Sequence, residues 1–390
     1  MKTNPQTRLN GLTTIRAFAS LHVVFYHMWN YYMPLEHFSW LFNHIINIGY
    51  IGVNLFFILS GYILSYVYLT TSKGSSINSF QFWKSRFARI YPVYAFAFII
   101  EIPLVIEHII QRKDHFRELA IAVLTLGVNL SLIQSWAPVL KWRWNPPSWT
   151  LSVEAFFYLL FPVLGLLVWK TFENRKMFPW LTGCFFLLLF PSLILWATNP
   201  QGLKETDVQW VYLNPILRIP EFLLGVLLLK WQLTITDSTL NKGKASSILL
   251  WIGLIGMIGC FAISNTIPTY VLRSGFFDPT FMCLISGIAL SRGSISDILS
   301  FPPLVLLGEA SYSIYIFQAP ILEWFVKLSR IFNVDLVFPG DTNRPFLFII
   351  YLVVLIAFSL FSFKFIESPL REKIRKTTIK MPNWIPQKKL

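Results

Sequence analysis

The chain has 390 residues, of which 55% are hydrophobic, 17% aromatic and only 13% charged, and it carries a formal net charge of +14. So little charge cannot cover the surface of a soluble domain of this size, and apolar runs of about 20 residues, enough to cross ~30 Å of hydrocarbon, recur along the whole sequence. Lys and Arg cluster between those runs, which argues against nucleic acid as a partner and first for the positive-inside rule and anionic lipid headgroups; a phosphate-rich cytoplasmic substrate is the second explanation.

The pattern predicts an all-α, polytopic integral membrane protein with about ten transmembrane helices. They fall at 12–33, 47–70, 87–109, 149–171, 178–197, 212–231, 246–264, 276–292, 303–328 and 345–367. The first span holds Arg16, His22 and His27 and lacks a small-residue cleavage pattern, so it is expected to stay as helix one and not to be removed as a signal. Arg16 and His27 are eleven residues apart, roughly 16 Å along a helix and almost on one face, since eleven steps of 100° exceed three turns by only about 20°. They can line one wall of a channel, whereas His22 points elsewhere and reads as structural.

In the third span, Arg86 and Arg89 of "FWKSRFARIYP" are helical neighbours. With Arg16 they form either a phosphate-binding cluster or ordinary cytoplasmic anchors. The stretch 118–135 is apolar but awkward as a span. Placing the basic segments 1–8, 73–89, 170–176, 230–244 and the tail in the cytoplasm requires an even number of crossings between 89 and 170. The stretch is therefore expected to be re-entrant or to lie on the outer side, although this leaves Arg112, Lys113 and Arg117 outside, against the rule. The aromatic run Trp136–Trp149 then sits at the outer interface, where Trp136, Trp142, Trp144 and Trp149 serve as sugar-stacking platforms or as an interfacial belt.

Charged side chains inside spans are costly and mark function by default. Glu154 in "PPSWTLSVEAFFYLLFP" and Gln318 in "GEASYSIYIFQAP" both come out near the depth of His27. A carboxylate there orients an imidazole or binds an acceptor hydroxyl; the structural alternative for Glu154 is an ion pair with Arg218. Ser311, Tyr312, Ser313 and Tyr315 line the same cavity or bond between helices. Cys184, Cys260 and Cys283 show no paired spacing, and His37, His44, His108 and His115 are scattered, so neither a disulfide framework nor a metal site is expected. Residues 1–390 read as one domain with a basic cytoplasmic tail at 368–390 and both termini in the cytoplasm.

The segment "LNGLTTIRAFASLHVVFYH" (9–27) resembles the opening of the membrane acyltransferase-3 family, the O-acyltransferases that modify bacterial surface polysaccharides and other sugars. Further resemblances follow in the family's order: "GYIGVNLFFILSGYIL", "RFARIYPVY", "PPSWTLSVEAFFYLLFP", "LRIPEFLLG", "LGEASYSIYIFQAP" and "FIESPLR". The resemblance implies that His27 acts in acyl transfer, that Arg16, Arg86 and Arg89 serve an acyl-coenzyme A donor, and that Glu154 belongs to the acceptor side. Asn10 stands where the family often has Asp, and Gln318 where it places a second histidine, which leaves His27 as the only candidate base. The chain resembles the stand-alone type, without a periplasmic hydrolase-like domain.

The expected activity is transfer of an acyl group, acetyl on family grounds, from cytoplasmic acyl-CoA to a hydroxyl of a cell-surface glycan at a bacterial plasma membrane. His27 acts as base or as acyl acceptor, with Glu154 as its catalytic partner. Gln318, Tyr315 and Ser311 line the substrate side, and no cofactor is permanently bound. A membrane glycosyltransferase using a lipid-linked sugar is one rival, but the outer loop 34–46 offers only Glu36. A transporter or flippase of glycan precursors is another, and the internal repeat expected of it is not found.

Overall fold

The computed structural model describes residues 5–32, 44–70, 76–137, 144–171, 177–199, 205–237, 242–332 and 345–377. Glu36, His37 and Trp142, invoked from the sequence, lie outside them, as do parts of the basic segments 1–8, 73–89, 170–176 and 230–244 and of the tail. Among the described residues there are helices and turns and no strand. The helices are α1 (Pro5–Tyr32), α2 (Gly52–Tyr68), α3 (Ser79–Ile110), α4 (His115–Leu130), α5 (Trp149–Thr171), α6 (Met177–Thr198), α7 (Glu205–Leu213) and α8 (Pro215–Asp237). There follow α9 (Lys242–Ile263), α10 (Asp278–Leu290), α11 (Ser294–Leu299), α12 (Pro302–Glu309), α13 (Ser311–Ile331), α14 (Pro345–Ser362) and α15 (Ser368–Lys376). Two π-helical turns, Leu272–Phe276 and Phe363–Glu367, precede α10 and α15.

Among the described residues, seven helices are long and apolar enough to cross a bilayer, and an eighth counts if α12 and α13, bent by 59° at their junction, form one span. The ten expected spans are not reached by length and apolarity, for three local reasons. α1 has 28 residues but carries Arg16, His22 and His27. α10 has only 13 residues because the π turn before it breaks the helix, with Gly275 at φ 90°. The bend at Ala310 divides the last of the three.

α3 starts on Asn78, whose side chain accepts from the Gln81 N–H at 3.0 Å. α4 starts on Asp114, which accepts from the Arg117 N–H at 3.0 Å, and it runs back along α3. It stops level with the middle of α3, where Tyr91 and Tyr94 donate to the carbonyls of Leu130 (3.2 Å) and Asn129 (2.8 Å). The chain turns there, and the Gln134 amide donates to Tyr94 Oη (3.0 Å) and to the Ser148 carbonyl (2.9 Å) just before α5 begins. These bonds satisfy backbone that is not helical. Trp144 and Trp149 belong to this buried turn and not to an outer aromatic rim: they are 4% and 7% exposed, and the Trp144 indole donates to the Ala122 carbonyl at 3.0 Å.

α2 and α8 pack backbone to backbone. A Cβ on Gly61 would run into the Phe222 carbonyl oxygen, and one on Gly225 into that of Ile58. Gly308 of α12 meets the Thr13 carbonyl of α1 in the same way, which anchors the helix carrying Arg16. Leu159, Val163 and Leu167 of α5, Phe186 and Phe190 of α6 and Ile252, Ile255 and Ile258 of α9 are exposed apolar faces suited to hydrocarbon.

Candidate active site

His27 and Gln318 meet between α1 and α13. His27 Nδ1 lies 2.9 Å from Gln318 Oε1, and the Gln318 amide nitrogen donates to the Tyr315 carbonyl at 2.8 Å. Since the amide nitrogen is engaged within its own helix, the amide oxygen must face the imidazole. An oxygen there accepts and does not donate, so Nδ1 carries the proton and Nε2 the lone pair. Tyr351 of α14 donates to the Gln318 carbonyl at 2.9 Å and fixes the turn from a third helix. The Tyr26 ring lies 5.2 Å from the His27 ring, and its hydroxyl accepts from Arg273 Nη2 at 3.1 Å.

Arg16, Arg86, Arg89, Glu154, Ser311 and Tyr315 converge on one cavity of about 770 Å³, counted out to its open end. Tyr315 ties this cavity to the imidazole, because its carbonyl holds the Gln318 amide one helical turn on. His27 and Gln318 themselves lie outside the lining. Glu154 sits with the arginines, not beside His27: its Oε1 accepts from Tyr158 (2.7 Å) and Ser60 (3.4 Å), and Arg16 is among its electrostatic neighbours. Arg218 is not its partner, for that guanidinium bonds Glu221 at 2.6 Å.

Among the described residues, Arg16, Arg86 and Arg89 form no ion pair. Arg86 is held by aromatic faces instead, with Cζ 5.8 Å from the Tyr68 ring centroid and 5.9 Å from those of Phe82 and Tyr158. The cavity thus gathers three guanidinium groups, with Glu154 in its lining and Glu367 as a further electrostatic neighbour of Arg16.

Two features were not legible as site residues. Glu367, on the π turn before α15, is 1% exposed; it accepts from Ser313 Oγ at 2.9 Å and has Arg89 and Arg16 as electrostatic neighbours. Its signal was the charge in "FIESPLR". The other is Arg273, an isolated cation in an apolar stretch. Arg218 Nη1 and Asn54 Nδ2 both donate to the Arg273 carbonyl, at 2.8 and 3.1 Å, and both also bond Glu221 Oε1. This buried network fixes the turn from which Arg273 reaches Tyr26, the neighbour of His27. Among the described residues no three His, Cys, Asp or Glu side chains are placed to hold a metal ion.

A family model described as an acyltransferase domain matches residues 9–364. The O-acetyltransferase OatA of Staphylococcus aureus (strain NCTC 8325) is 26% identical over 382 residues, covering 94% of this chain and 57% of the relative. The peptidoglycan O-acetyltransferase OatA of Listeria monocytogenes is 28% identical over 375 residues, covering 92% of this chain and 55% of the relative. The putative peptidoglycan O-acetyltransferase YrhL of Bacillus subtilis is 26% identical over 389 residues, covering 95% and 56%. The chain thus spans a little over half the length of these curated relatives. No solved structure matches.

Proposed function

Since the chain belongs to the acyltransferase domain family, we propose that it is a membrane O-acetyltransferase moving an acetyl group from cytoplasmic acetyl-CoA to a hydroxyl of a cell-surface glycan. The observation that carries this reading is the cavity lined by Arg16, Arg86 and Arg89, whose wall at Tyr315 abuts the His27–Gln318 pair. Two of the relatives are named for peptidoglycan, which is the acceptor to try first.

Arg16, Arg86 and Arg89 receive the donor's phosphates, and the roughly 16 Å of helix between Arg16 and His27 is spanned by its pantetheine arm. The acceptor hydroxyl approaches His27 from the opposite side of the membrane. Nε2 takes the hydroxyl proton while the oxygen attacks the thioester carbonyl. A C–O bond forms and the C–S bond breaks. The proton then passes from the imidazolium to the sulfur, leaving an O-acetyl ester and free coenzyme A. Gln318 keeps the accepting lone pair on Nε2 until the proton is taken and then stabilises the imidazolium through Nδ1–H. Glu154 tunes the charge of the donor cavity and holds Tyr158 against Arg86.

Purified protein incubated with labelled acetyl-CoA and glycan fragments tests this reading. Label is expected on the glycan with the native chain and not with His27→Ala.

A further inference from the structure

A second cavity adjoins the arginine-lined one at Arg86. It encloses about 1670 Å³, counted out to its mouth, between the start of α3 and α15. Arg86 is the junction: it lines the first cavity, while Tyr68 and Phe82, on whose rings its guanidinium rests, line the second. Lys84, Arg371, Arg375 and Lys376 bring four cations to this cleft against one carboxylate, Glu372, which pairs with Lys376 at 2.5 Å.

The cleft is built as well as charged. Lys84 Nζ donates to the backbone carbonyls of Arg375 and Thr377, so a cation of α3 holds the C-terminal end of α15 in place. Arg371 and Arg375 are four residues apart and share a helix face. Among the described residues neither side chain makes a hydrogen bond or ion pair. Arg371 is half-buried and has Arg86 and Arg89 as electrostatic neighbours, so cations continue from α15 to the first cavity, with Glu367 as the carboxylate among them. A ligand filling both cavities needs phosphate at two places and a slender arm beyond. Acyl-CoA has that layout: a 3′-phosphate on the ribose, a diphosphate, and then pantetheine.

We propose that the cleft between α3 and α15 seats the nucleotide end of acyl-CoA, with its 3′-phosphate on Arg371 and Arg375. This rests on the reading of the first cavity as the donor channel. A phospholipid headgroup offers the same phosphate chemistry, and the experiment separates the two sources.

The full chain is reconstituted in phosphatidylcholine nanodiscs and titrated calorimetrically with adenosine 3′,5′-bisphosphate and with adenosine 5′-monophosphate. The bisphosphate is expected to bind at least about tenfold tighter, the size of one charge-assisted phosphate contact. Arg371→Ala, and separately Arg375→Ala at an exposed position, each lower bisphosphate affinity about tenfold. Arg112→Ala, just beyond the far end of α3, leaves it unchanged. Equal affinity for the two nucleotides, no binding, or unchanged binding in both arginine variants overturns the assignment. So does loss of bisphosphate binding when the disc lipid becomes phosphatidylglycerol, which would give the cleft to lipid headgroups. Transfer from acetyl-CoA is followed in parallel. Selective nucleotide binding without transfer refutes the acetyltransferase reading alone, and transfer without selectivity refutes this site alone.

Discussion

Gln318 decides which nitrogen of His27 carries the proton. Its amide oxygen sits 2.9 Å from Nδ1, and its amide nitrogen is bound to the Tyr315 carbonyl, so the pair has one consistent protonation pattern. On the proposed function, a residue read from the sequence as a substrate contact is a positioning residue for the imidazole. Gln318→Leu, of similar size without an acceptor, is expected to lower kcat by about 10²-fold with little change in donor KM. Gln318→Glu retains an oxygen opposite Nδ1 and should keep more of kcat. Initial rates for both variants check this; equal losses would show that the hydrogen bond is not what matters.

The arginines should act on donor binding. Arg86→Ala and Arg89→Ala are each expected to raise KM for acetyl-CoA at least about tenfold, the loss of one charge-assisted phosphate contact. Arg86→Lys should recover little, because its charge would be kept while the planar group resting on Tyr68, Phe82 and Tyr158 would be lost. Saturation curves against acetyl-CoA at fixed acceptor measure both effects.

Glu154 separates the two ends of the channel. Placed among the arginines, its carboxylate opposes the donor's negative charge. Glu154→Gln is therefore expected to leave acceptor KM unchanged and not to raise donor KM. A rise in acceptor KM would put Glu154 on the acceptor side, as the family resemblance implies.

The Arg218–Glu221 pair is a folding element. Both side chains are fully enclosed, and removing one partner would leave the other charge buried alone. Arg218→Ala should cost about 3–5 kcal/mol of stability. Thermal unfolding in detergent reads this as a large fall in melting temperature and in yield. An unchanged melting curve would show that the network closes without it.

Helices, their order and the intramembrane polar residues were legible in the sequence because each rests on local pattern. Apolar length reveals spans, and an intramembrane charge such as Arg16 stands out wherever it falls. Three-residue spacing alone makes Arg86 and Arg89 neighbours on a helix. Depth was less legible. Counting residues from a helix end misplaces Glu154, because α5 begins at the level of Tyr94, inside the bundle, where α4 stops halfway along α3. Trp144 and Trp149 are hard to place for the same reason, since an interfacial belt and a buried turn have one composition. Glu367 and Arg273 depend on π turns and on partners more than fifty residues away in sequence, Ser313 and Tyr26, which no local spacing encodes.

The central claim, that His27 drives acetyl transfer to a glycan hydroxyl, is tested most directly by one comparison. Full-length protein and His27→Ala, matched for folding by their melting curves, are incubated in nanodiscs with radiolabelled acetyl-CoA and peptidoglycan fragments. Alkali-labile label on the glycan is then counted. The native chain should transfer label, and His27→Ala should do so about 10²- to 10⁴-fold more slowly, the range a positioned general base supplies. Transfer at an undiminished rate by His27→Ala would contradict the account.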